Sequence, residues 1–170
     1  MRFLNLFSNR LDDPEERRIV IDLLKRWGTA SERVDGATDA MRLTVARNPS
    51  GMASDEFEPA RQHALDVLEQ VIKETSAIGF WPSLTDASGA SLAFQLSQEL
   101  DLCHRHQMVQ LSMFGRWAQA FRNGEPTSVN NQEIERSNRD FTRAIDAMGK
   151  TAANLARRYG IGGNDLTPSA

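Results

Sequence analysis

The residues able to do chemistry gather in one stretch, Leu100 to Phe121, which reads LDLCHRHQMVQLSMFGRWAQAF. It holds the only cysteine, Cys103, and two of the three histidines, His104 and His106. Asp101 stands three residues before His104, so one helix face would bring the two together. A thiol could act as nucleophile or metal ligand, and an Asp-x-x-His pair could supply two ligands of a metal site. A di-iron bundle needs paired Glu-x-x-His motifs with further glutamates on facing helices. Only one Asp-x-x-His is present. Metal ligation by Asp101, His104 and His106 is therefore a weak expectation, and no cofactor is expected. The sequence carries no glycine-rich phosphate loop, CxxC, HExxH or GxSxG motif. A phosphotransfer histidine is disfavoured too, because His63, His104 and His106 lack the pattern of basic and small residues that accompanies an exposed phosphorylated histidine. The sequence thus points away from an enzyme.

Placed on a helical wheel from Leu96, the stretch loses much of its reactive look. Cys103 falls in the middle of an apolar stripe with Leu100, Leu111, Phe114 and Ala118, where a thiol acts as a small hydrophobe. His104 falls at about +80° and Asp101 at about +140°, as a hydrogen-bonded pair on the more polar side. Gln107 and Gln110 lie near the stripe and are expected to bond across helices. A second apolar group, Leu102, Val109, Met113 and Ala120, lies on another face, with His106 within it and Trp117 bridging the two. The apolar arc is about 200° wide, against roughly 100° for an ordinary surface helix. Either other helices of this chain or a second chain must cover it. Leu102, His106, Val109, Met113, Trp117 and Ala120 are the candidate interface residues. Trp117, His106 and Phe114 could alternatively line a ligand cavity.

This stretch sits inside a chain that reads as all-α. The segment Asp12-Asp13-Pro14-Glu15-Glu16 combines an acceptor cap, a first-turn proline and carboxylates at the positive helix end. A first helix over about 14–47 follows, stopped by Asn48-Pro49-Ser50-Gly51. Val20, Trp27, Val34 and Met41 repeat every seven residues, with Leu23, Ala30 and Ala37 on the adjacent row. A second helix spans about 58–78, with Ala64, Leu68, Val71, Thr75 and Ile78 on its apolar row and Gly79 ending it. Phe80-Trp81-Pro82 breaks the pattern and should close the end of the core. A third helix covers about 88–121 and a fourth about 132–159. The whole predicts an antiparallel, up-down-up-down four-helix bundle with long helices over 12–163. A short N-terminal extension (1–11), which could dock on the bundle, a partner or a membrane surface, and a tail (164–170) flank it.

At 170 residues and 40% apolar composition, the chain fits one folded domain. Its net charge of −3 disfavours a generic nucleic-acid or anionic-membrane binder. The acidity concentrates in residues 48–90, which carry a net −5. A single cysteine cannot form an internal disulfide, and with no secretory signal a cytoplasmic location is expected. The leading expectation is a non-enzymatic helical adaptor or assembly protein, a homo-oligomer or partner of another helical protein, joined through the second face of helix three.

The stretch Asn154-Leu155-Ala156-Arg157-Arg158-Tyr159-Gly160, ending in Leu166-Thr167-Pro168-Ser169, resembles the end of phage small terminase subunits over at most the last third of the chain. That resemblance implies nucleic-acid-linked assembly. Arg139, Arg143, Arg157 and Arg158 would then contact phosphates, against their plainer role as solvated helix surface.

Overall fold

The computed structural model describes residues 13–47, 51–126 and 131–167. The expected N-terminal extension lies outside them. Among the described residues the protein is all-α: α1 is Pro14–Arg47, α2 Phe57–Thr75, α3 Ala87–Asn123, α4 Asn131–Arg158 and α5 Gly163–Leu166, with a 3-10 turn at Gly51–Ala53.

Local chemistry sets the helix ends. Asp13 Oδ1 accepts from the Glu15 and Glu16 amides at 2.9 and 3.1 Å, capping donors that have no partner inside α1. Asp86 caps α3 by accepting from the Gly89 amide at 2.7 Å. Gly124, at φ 67°, ends α3 in the left-handed conformation, and the Glu125 amide returns to Ala120 O at 2.9 Å. By contrast, α2 stops at Thr75, three residues short of the expected Ile78. Thr75 Oγ1 bonds back to Val71 O at 2.9 Å, and the Trp81 indole donates to Thr75 O at 2.9 Å. The loop tryptophan thereby takes the carbonyl that a further turn would use, and Ile78 stands fully exposed.

Consecutive long helices run in opposite directions. Arg33 pairs with Glu74 while the earlier Arg26 reaches the later Gly79 O, so α1 and α2 are antiparallel. Arg61 bonds Leu111 O and Glu58 meets the later Arg122, which orients α2 against α3. Gln110–Asn138 and Arg116–Glu133 do the same for α3 and α4. α1 packs broadly on α2 and α3 on α4, while α1 touches α4 only slightly.

Two apolar clusters fill the interior. One joins Val20 and Leu23 of α1 to Leu96 and Leu100 of α3 and Leu155 of α4, and Phe80, Trp81 and Leu84 of the α2–α3 loop pack against it. The other joins Val34 and Met41 of α1 to Leu68 and Val71 of α2 and Leu111 of α3. The loop aromatics occupy the level where the short α2 has ended. Part of the expected tail is held as well: Arg17 Nη2 lies 2.8 Å from Asp165 Oδ1, tying α5 to α1.

Candidate functional site

α3 distributes its reactive side chains in three directions. Cys103 is buried in the first cluster. Burial, with Glu99 and Asp35 nearby, pushes its thiol up to about 11, which leaves it protonated and unreactive at neutral pH. His104 is only 4% exposed, so the expected polar-edge position does not hold. Its pairing with Asp101 does not form either, because the Arg105 guanidinium one turn on takes that carboxylate. Burial holds the His104 imidazole below its usual range, against the opposing pull of Asp101, and keeps it neutral. His106 is half-buried and His63 exposed. The described residues bring together no group of three or more His, Cys, Asp or Glu that could hold a metal ion.

The second apolar face divides along its length. Met113 and Ala120 are buried on the side where Gln110 and Arg116 bind α3 to α4. Trp117 is half-buried and stacks on Phe121, with ring centroids 6.2 Å apart. Leu102 and Val109 remain 46% and 52% exposed, and Phe94, two turns before Leu102, is 64% exposed. Phe94, Leu102 and Val109 make an outward strip roughly 22 Å long at 1.5 Å per residue. Phe94 was not singled out in the sequence, because it lies beyond the apolar arc on the wheel.

The four arginines expected to meet phosphates are engaged by neighbours. Arg139 lies 3.7 Å from Glu135, Arg143 lies 3.8 Å from Asp140, and Arg157 bonds Asn154 at 3.1 Å. Arg158 turns inward to grip both carboxylate oxygens of Asp86. That pair is part of a polar cluster where the starts of α1 and α3 meet the end of α4. Glu16, 5% exposed, accepts from the Thr85 amide and hydroxyl, from the Asp86 amide at 3.2 Å and from Tyr159 Oη at 3.0 Å. Tyr159 itself is wholly buried. Burial, reinforced by the Glu16 charge, raises its hydroxyl pKa, so it remains a donor.

The clamp carries a pH dependence. The Thr85 hydroxyl bond leads in holding Glu16 below the usual carboxylate range, and Arg158 leads in lowering Asp86 to about 2. A carboxylate whose folded pKa is depressed stabilises the fold fully above its unfolded pKa, about 4, and loses that contribution as pH falls through the folded value. Stability in urea is therefore expected to fall between about pH 5 and pH 2, and to fall less steeply in Asp86→Asn. Equal slopes in the two proteins would count against the clamp as the source of this dependence.

Neither Glu16 nor Tyr159 signals this role in the sequence beyond a charged helix start and an aromatic helix end. Comparison with protein-family models, with curated proteins and with solved structures finds no match. The class defined by the fold is an all-α protein of four long packed helices. No helix among the described residues is long and apolar enough to cross a membrane.

Proposed function

We propose that this protein is a non-enzymatic helical interaction protein that self-associates through the outward strip of α3. The observation behind this reading is that Phe94, Leu102 and Val109, three large apolar side chains, stand about half exposed or more along one long helix. Apolar strips of this kind mark interaction surfaces. Leu102 and Val109 are seven residues apart and therefore share a row. A two-fold axis between Arg105 and His106 would set Leu102 of one copy against Val109 of the other, in an isologous antiparallel helix pair. Asp101 and Arg105, beside this row, pair with each other within one helix and so add little net charge to it.

Sedimentation equilibrium tests the reading. The wild type should dimerise with concentration. Val109→Glu should weaken the dimer by roughly a hundredfold, since each interface would bury two unpaired carboxylates, with unchanged circular dichroism. A wild type that stays monomeric at hundreds of micromolar, or a dimer indifferent to Val109→Glu, would sink it.

A further inference from the structure

A cleft of about 70 Å³ opens between α1, α3 and α4, where α1 and α4 barely touch. Ser31 and Asp35 enter from α1, Cys103, His104 and Gln107 from α3, and Phe141 from α4, with aliphatic side chains completing the wall. Its polar groups lack partners. Ser31 Oγ is buried with no hydrogen bond. His104 and Gln107 are 4% and 8% exposed, and neither side chain bonds to another group. A buried hydroxyl left in this way is costly, and the unbonded polar atoms of His104 and Gln107 are open to an occupant of the cleft.

We propose that this cleft binds a small organic cation, a primary ammonium on a short apolar body. The wall carries one carboxylate, Asp35 at the mouth, and neither lysine nor arginine, so it repels an anion and meets it only with neutral donors. An ammonium has three donors and no acceptor. Asp35, Ser31 Oγ, the Gln107 carbonyl oxygen and a neutral His104 nitrogen offer four acceptor groups to those three donors. The Phe141 face can receive the charge, and the aliphatic wall the hydrocarbon. A purely apolar guest would leave every one of these polar groups unpaired. At about 10–15 Å³ of such space per water, the cleft suits a molecule of only a few heavy atoms.

The test is a titration of isotope-labelled full-length protein with ethylammonium chloride at constant ionic strength, read by amide chemical shifts. Saturable shifts are expected around Ser31, Cys103 and Gln107, with acetate and propanol giving none at the same concentration. Asp35→Asn, at the exposed mouth, should raise the ethylammonium Kd about tenfold or more, through loss of a charge-assisted hydrogen bond. Ser31→Leu should fill the cleft and abolish the shifts. Absence of saturable shifts in the wild type would mean that water alone occupies the cleft and would overturn the proposal. So would equal binding of acetate or propanol, or an Asp35→Asn protein that binds as the wild type does.

Discussion

Glu16→Ala is expected to lower folding stability by about 3–5 kcal/mol, measured by urea denaturation at pH 7. The reason is the number of donors that one carboxylate serves. Its oxygens accept from the Thr85 amide and hydroxyl, from the Asp86 amide and from the Tyr159 hydroxyl. Tyr159 is fully buried and Glu16 nearly so. Alanine would leave the Thr85 amide without a partner and the Tyr159 hydroxyl with only Asp86 Oδ2 at 3.5 Å, in a region that water barely reaches, and each bond lost there costs about 1–3 kcal/mol. Against this, alanine gains only a few tenths of a kcal/mol, about the difference in helix propensity. Glu16→Gln keeps one acceptor oxygen but brings an amide group that cannot accept, so about half the loss is expected. A loss below about 1 kcal/mol for Glu16→Ala would mean that water replaces the carboxylate readily.

This clamp also marks where sequence reasoning runs out. The start of α1 is legible because Asp13 acts on amides within the next three residues. The placing of Cys103 follows from its angle on a single helix. Glu16 is different: its partners Thr85 and Tyr159 lie 69 and 143 residues away, and no local pattern announces them. The end of α2 failed for a related reason, since the Trp81 indole, six residues on, captures the Thr75 carbonyl.

His104 was misplaced because a wheel describes one helix alone. At its level α3 is flanked on one side by the α1–α4 cleft and on the other by a second cleft lined by Thr75 and Trp81, and His104 lines both. The same limit applies to the second apolar face. Its angular width is readable, but how far α4 covers it depends on where two helices touch. That covers Met113 and Ala120 and leaves Leu102 and Val109 outside. The residues expected to surround a cavity, Trp117, His106 and Phe114, line neither of these two clefts.

Gly89→Ala is expected to destabilise the protein by about 2–3 kcal/mol, although alanine in a helix normally gains about 1 kcal/mol over glycine. Gly89 sits in the first turn of α3, and a Cβ there would land on Tyr159 Oη, with Tyr159 Cζ and Asp86 Oδ2 each at 2.9 Å. A surface tyrosine would swing aside. This one cannot without cost, because its ring is fully buried in the first apolar cluster and its hydroxyl is bound to Glu16. Moving the helix start instead would strain the Asp86 cap and the Arg158 grip on the same carboxylate. A double-mutant cycle with Tyr159→Phe separates these responses. Phenylalanine removes Oη, the worst contact, while keeping the ring, so Gly89→Ala should cost about 1 kcal/mol less in that background than in the wild type. Strict additivity would show that α3 shifts rather than Tyr159. A stabilising Gly89→Ala in the wild type would show that the start of α3 does not pack against Tyr159 at all.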